Sequence, residues 1–201
     1  MKFQKLITLF STACLLLLSS LTFAQASSNT NAFGVGTNVI NAGIGIGGTY
    51  SYIGPQFAQS PNFIVSYDYG IYAGAGPGII SLGGLFSYKS SSYNFDENTN
   101  SSYYDNTLSY YILGLRSAYH WNFTTSDQFD PYVGLTLAYY LTSFHTSDPY
   151  YNTYAAEPSY NSYLGLGFYI GARYYITPVV GIWFELGTGY SNAAIGASFK
   201  F

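Results

Sequence analysis

The sequence predicts an all-β chain: a transmembrane, eight-stranded antiparallel up-and-down β-barrel. Three observations lead there. Charged residues are 7% of the 201 residues and aromatics 20%, whereas soluble domains carry about 25% charge. Beyond the first segment, no run of 18 apolar residues offers a spanning helix. Apolar and polar residues instead alternate with period two, in segments of about ten residues separated by turn-rich gaps. The aromatic content also excludes a disordered polar chain. A net charge of −3 with six Lys and Arg leaves no basic stripe for nucleic acid.

Residues 1–26 read as a cleaved signal peptide. Lys2 and Lys5 form the positive start. An apolar run follows, and Ala24-Gln25-Ala26 is the cleavage site. Cys14, the single cysteine, falls inside that run. Residues 27–201, the barrel domain, then hold no thiol for a disulfide or a metal. They carry four basic against nine acidic side chains, a net charge of −5.

The first strand is expected at about 37–48, with Ile40, Ala42, Ile44 and Ile46 opposite Asn41, Gly43, Gly45 and Gly47. The second covers 62–72, with Phe63, Val65, Tyr67, Tyr69 and Ile71 opposite Ser66, Asp68 and Gly70. The third, 78–89, sets Ile80, Leu82, Phe86 and Tyr88 against Ser81, Gly83, Ser87 and Lys89. The fourth, 108–123, sets Tyr111, Leu113, Leu115, Tyr119 and Trp121 against Gly114, Arg116, Ala118 and His120. The fifth, 130–143, alternates Val133, Leu135, Leu137, Tyr139 and Leu141 with Gly134, Thr136 and Ala138. The sixth, 160–176, alternates Leu164, Leu166, Phe168, Ile170 and Tyr174 with Gly165, Gly167, Gly171 and Arg173. The seventh, 179–190, has Ile182, Phe184 and Leu186 against Gly181, Trp183, Glu185 and Gly187. The last, 193–201, has Ile195, Ala197, Phe199 and Phe201 against Gly196, Ser198 and Lys200.

The connections alternate in length. With the N-terminus in the periplasm, the turns at 73–77, 124–129 and 177–178 are short. The outer loops at 49–61, 90–107 and 144–159 are longer, and only the one near Ser191-Asn192 breaks the rule. Outer-membrane barrels show this asymmetry. Asp68, Lys89, Arg116, Arg173, Glu185 and Lys200 all fall on the small, polar face. On the lipid face at mid-depth an Arg or Lys costs about 2–4 kcal/mol. The remaining acids, Asp130 among them, are read as lying in or beside connections.

The terminal strand ends Ser198-Phe199-Lys200-Phe201. Gly36 to Gly45 and Leu115-Arg116-Ser117-Ala118-Tyr119-His120 are further phrases typical of small barrels. On these residues the chain resembles the outer-membrane β-barrel families of Gram-negative envelopes, including the OmpA and OmpX type. The likeness spans nearly all of residues 27–201. It implies an outer-membrane location, contact with membrane lipids and lipopolysaccharide, and Phe199 and Phe201 as a signal to the barrel-assembly machinery. No peptidoglycan-binding domain follows, so a tethering role is not implied.

Asp68, Arg116, Arg173 and Glu185 are expected to meet in the lumen as a structural charge cluster. An eight-stranded barrel is just wide enough for side chains to fill it, and buried charges need partners. A narrow ion path is the alternative. No cofactor is expected. His120 and His145 lack metal-ligand spacing. No catalytic residues are assigned. Lipid A deacylases carry His-x-Ser-Asn-Ala, and here Ser191-Asn192-Ala193 follows Gly189, which leaves the Ser without its base. Tyr93, Tyr103, Tyr104, Tyr150, Tyr151, Tyr154 and Tyr160 sit among Ser, Asn and Thr. That composition suits an unidentified surface ligand or an aromatic girdle.

Overall fold

A computed structural model describes residues 31–49, 57–73, 76–96, 103–122, 126–146 and 162–201. The segment read as a signal peptide, 1–26, lies outside them, as do Tyr150, Tyr151, Tyr154 and Tyr160. The strands are β1 (Asn38–Ile46), β2 (Phe57–Gln59), β3 (Asn62–Ala73), β4 (Gly78–Asp96) and β5 (Tyr103–Trp121). They continue with β6 (Phe129–Thr146), β7 (Tyr163–Tyr175), β8 (Val180–Gly187) and β9 (Ala193–Lys200). Every pairing is antiparallel. β1 pairs with both β3 and β9, and β4 with β5, so the sheet closes on itself.

Among the described residues, nine strands make eight staves. β2 and β3 both pair with β4, with one extra residue between them, as Gln59 faces Ser91 but Phe63 faces Tyr88. Pro61 separates them because it has no N–H to give the ladder. The chain stays attached through Ser60 N–H to the Ser90 carbonyl and Ser90 N–H to Ser60 Oγ, both 2.9 Å.

Side chains alternate between lumen and exterior. Along β3, residues 62–71 run buried, exposed, buried, exposed without a break. The exterior carries Leu135, Leu166, Phe168 and Ile170, each more than half exposed. Such a continuous apolar band fits hydrocarbon rather than water. Aromatic pairs mark its two rims. Tyr88 meets Tyr111 at 5.1 Å on one, and Tyr119 meets Trp121 edge-on at 5.6 Å on the other.

Above the upper rim the sequence reading needs correction. β4 and β5 have 19 residues each and β6 has 18, against about 9–11 for a membrane strand. The expected loops at 90–107 and 144–159 are therefore partly wall. Tyr93, Tyr103 and Tyr104 stand on strands, and the expected 49–61 loop contains β2. The reason is chemical. Beyond Tyr88 the outward positions become Ser90, Ser92, Thr107, Ser109 and Ser143, so the hydrophobic alternation fades while the backbone ladder continues.

The barrel is widest in sequence at one point and shortest at another. β8 and β9 have eight residues each and turn tightly, with Gly187 N–H bonded to the Asn192 carbonyl at 3.0 Å. At the opposite end the two termini of the barrel clasp each other. Asn38 N–H reaches the Phe201 carbonyl and Phe201 N–H the Asn38 carbonyl.

Candidate functional site

The lumen is where the chemistry concentrates. Large side chains fit there because glycines face them. A Cβ on Gly134 would lie 2.4 Å from the Tyr169 ring, and one on Gly196 would lie 2.7 Å from Trp183 Nε1. Trp183, Arg116, Arg173, Tyr132 and Tyr169 together fill the cross-section, and none is more than 1% exposed.

The four residues singled out from the sequence converge. Arg116 Nε lies 2.9 Å from Asp68 Oδ1, and its Nη2 is 2.6 Å from Glu185 Oε1. Arg173 Nη2 bonds the other oxygen of Asp68. Asp68 thus bridges two guanidinium groups from β5 and β7. A buried ion is stable only when its remaining lone pairs and protons are answered. Tyr132 donates to Glu185 Oε1 at 2.8 Å, and the Tyr190 hydroxyl donates to Glu185 Oε2. The guanidinium carbons of Arg116 and Arg173 lie over the rings of Tyr169 and Tyr132, at 4.3 and 4.5 Å, a favourable cation–π geometry.

The structure adds members that the sequence reading placed elsewhere or passed over. Asp130, read as lying in or beside a connection, faces the lumen. It is the second residue of β6 and is buried. Its Oδ2 pairs with Arg173 Nη1 at 2.7 Å and its Oδ1 with His120 Nδ1 at 2.7 Å. Its parity with Tyr132, Gly134 and Thr136 was the available signal, but the strand start and Pro131 concealed it. His120 Nε2 lies 3.0 Å from Ser81 Oγ. Asn41 accepts from Arg173 Nε at 3.1 Å and from Ser198 Oγ at 2.6 Å, and donates to Ser66 Oγ at 3.0 Å.

A second unforeseen element closes the lower mouth. Residues 32–34 turn back under the barrel. Phe33, fully buried, stacks on His120 with centroids 3.8 Å apart and packs with Val39 and Ile79. Its backbone is tied on several sides. Ala32 N–H bonds the Ser126 carbonyl at 2.9 Å, Lys200 Nζ donates to the Ala32 carbonyl at 3.1 Å, and Gly36 N–H bonds the Gly70 carbonyl at 2.9 Å. Nothing periodic announces this strap, because it is too short to have a period.

Above the charges lies an apolar layer: Ile64, Leu85, Ile112, Tyr140, Trp183 and Tyr190. Higher still the lining turns polar, with Ser87, Ser91 and Asn62. Among the described residues Ser87 Oγ, Ser91 Oγ and Asn62 Oδ1 have no hydrogen-bond partner.

Ser191 and His120 are not brought together. Ser191 sits at the upper end, its hydroxyl 2.7 Å from the Ala193 carbonyl and 3.0 Å from that of Ile46. His120 is one residue from the lower end of β5. Phe199 is on the exterior and nearly half exposed, and Phe201 follows β9. Among the described residues, no group of three or more His, Cys, Asp or Glu is placed to hold a metal.

No family model matches the chain, and no curated protein does. Solved structures do. The outer-membrane protein OprG from Pseudomonas aeruginosa superposes with a TM-score of 0.50 at 14% identity, over 86% of this chain and 98% of that one. The chain has the fold of a small outer-membrane β-barrel. Two further structures are similar at 14% identity and a TM-score of 0.48 each. One is Ail of Yersinia pestis in complex with the heparin analogue sucrose octasulfate, matched over 83% of this chain and 99% of that one. The other is a de novo designed transmembrane β-barrel, matched over 85% and 99%.

Proposed function

We propose that the chain is an integral protein of the Gram-negative outer membrane, with a structural or surface-interaction role and no catalysis. In this reading residues 1–26 export it and are removed. Phe199 and Phe201 present the last strand to the barrel-assembly machinery. The exterior meets membrane lipids and lipopolysaccharide. Asp68, Arg116, Arg173 and Glu185 act as a structural plug. The extended hairpins of β4, β5 and β6 stand outside the membrane, where a surface ligand would be met.

One observation carries the choice of a sealed scaffold over a pore. Three successive fillings cross the lumen: Phe33, the charge network, and the Trp183 layer. An ion path needs continuous water, and each filling excludes it. The deacylase reading is disfavoured by the separation of Ser191 from His120 and by the carbonyls that hold the Ser191 hydroxyl.

The test is conductance of the refolded mature protein in planar bilayers. Silent bilayers are the expected result. Discrete, salt-dependent steps would overturn the sealed reading. The surface role is tested separately, by replacing residues 97–102 with a two-residue turn. Folding should persist while an adhesion or resistance phenotype of the parent strain is lost.

A further inference from the structure

Phe33 sits on a short arm whose seat is assembled from all around the lower mouth. Its ring stacks on His120 of β5 and packs with Val39 of β1 and Ile79 of β4. The guanidinium carbon of Arg173, on β7, lies 5.8 Å from the ring centroid. The Ala32 N–H bonds the Ser126 carbonyl, between β5 and β6, and the Ala32 carbonyl accepts from Lys200 of β9. Asn122 Nδ2 donates to the Phe33 carbonyl at 3.4 Å. In an open sheet these groups are not neighbours, so the seat comes into being with closure.

The arm leaves β1 through a tight turn that does not need the seat. Thr37 N–H bonds the Gly34 carbonyl at 3.1 Å, and Gly34 N–H bonds Thr37 Oγ1 at 3.0 Å. Gly36 takes φ +86° at the third position, where a type II turn favours glycine. The turn is fixed to β3 by Gly36 N–H to the Gly70 carbonyl and Gly70 N–H to the Thr37 carbonyl. Beyond it, Ala32 and Phe33 are held by one buried ring and a few hydrogen bonds, two of them from flexible side chains. So small a unit releases at less cost than the closed sheet.

Gly70 makes room for the seated arm. A Cβ there would lie 2.1 Å from the Gly34 carbonyl oxygen and 3.2 Å from Phe33 Cε1. A methyl group at this position is therefore incompatible with the seated arm, although it touches no member of the charge network.

We propose that Ala32 and Phe33 form a lid, which seats on the lower mouth once the sheet has closed and lifts from it while the barrel stays intact. Seated, it covers His120, which is 0% exposed and bonds Asp130 and Ser81. Lifted, it opens that polar floor to solvent and small solutes. The charge network and the Trp183 layer still cross the lumen above, so lifting opens a compartment and not a channel. The lid goes beyond the scaffold reading and does not rest on its surface role.

The experiment is modification of the refolded mature protein by diethyl pyrocarbonate at fixed pH, located by peptide mass spectrometry. The chain has two histidines. His145 is exposed on β6 and serves as the internal reference, while His120 reports the lid. In a urea series on the parent, the reactivity of His120 relative to His145 should rise before the folded band is lost in heat-modified gel mobility. Without urea, Gly70→Ala should raise that ratio about tenfold or more, which corresponds to about 1.4 kcal/mol or more of lost closure free energy. Planar bilayers carrying Gly70→Ala should stay silent. Should Gly70→Ala fail to fold, the urea series on the parent decides. Modification of His120 only in step with loss of the folded band overturns the lid, because the arm is then part of the barrel. So does a folded Gly70→Ala barrel whose His120 stays as protected as the parent's. Channel steps from that variant, with a silent parent, would overturn the closed compartment and leave the sealed reading of the parent standing.

Discussion

The lower and upper halves of the lumen are built from the same alternating strands, yet the lower half pairs its carboxylates with cations while the upper half holds mostly neutral polar groups. Arg116 Nη1 and Tyr175 Oη below also lack a hydrogen-bond partner among the described residues. In the lower half the carboxylates are engaged from several strands. Asp68 meets Arg116 and Arg173, Asp130 meets His120 and Arg173, and Glu185 meets Arg116, Tyr132 and Tyr190. In the upper half Ser87, Ser91 and Asn62 each keep a polar atom without a partner among the described residues. Burial alone does not explain this, since Ser87 and Ser198 are both fully buried. The difference is what lies beyond. Phe33 closes the lower half, so its charges must be satisfied within the protein. The upper half ends in a cavity lined by Asn62 and Lys89 among others, and its unpartnered groups are neutral, so forgoing a bond there costs less than leaving an ion unpaired.

Mutations can break this contrast, and the largest effect should come from Arg173→Leu. It leaves Asp68 and Asp130 short of a cation inside a closed lumen. Loss of one partner of a buried ion pair costs about 3–5 kcal/mol, so the urea midpoint of the refolded barrel should fall sharply. An unchanged midpoint would mean that the network is not coupled to folding. Phe33→Ala comes next. Removing a buried Phe side chain costs about 3–5 kcal/mol, and the low end is expected because a strap can relax more than a strand. The same urea titration checks it. If stability is unaffected, the strap does not seal the lower mouth.

A matched pair sharpens the comparison at smaller cost. Ser198→Ala removes the donor to Asn41 Oδ1 and should destabilise by about 1–2 kcal/mol. Ser87→Ala, equally buried, should stay within about 0.5 kcal/mol of the parent. Equal effects would erase the distinction between the halves. The smallest effect belongs to Ser191→Ala. Mass spectrometry of lipid A from cells carrying it should match that from cells with the parent protein and from cells with none. An acylation change that depends on Ser191 would restore the enzyme reading.

The sequence by itself determined the strand parity and hence the lumen's membership. Asp68, Arg116, Arg173 and Glu185 are legible because a strand has period two, and lipid leaves a charged side chain only one face to occupy. The same logic read the apolar band. It failed where that constraint ends. Above the rim, outward positions no longer meet hydrocarbon, so β4, β5 and β6 outran their hydrophobic signal. At the lower rim Asp130 sat where strand and turn are indistinguishable in one dimension. Tertiary structure alone decided who partners whom. Arg173 meets Asp130 on the next stave, but it meets Asp68 and Asn41 across the lumen, at separations of 105 and 132 residues. Closure of the sheet sets those distances through strand number and stagger, and no local periodicity encodes them. The Phe33 strap belongs to the same class. So short a segment has no pattern of its own, and its place depends on a mouth that exists only once eight staves have closed.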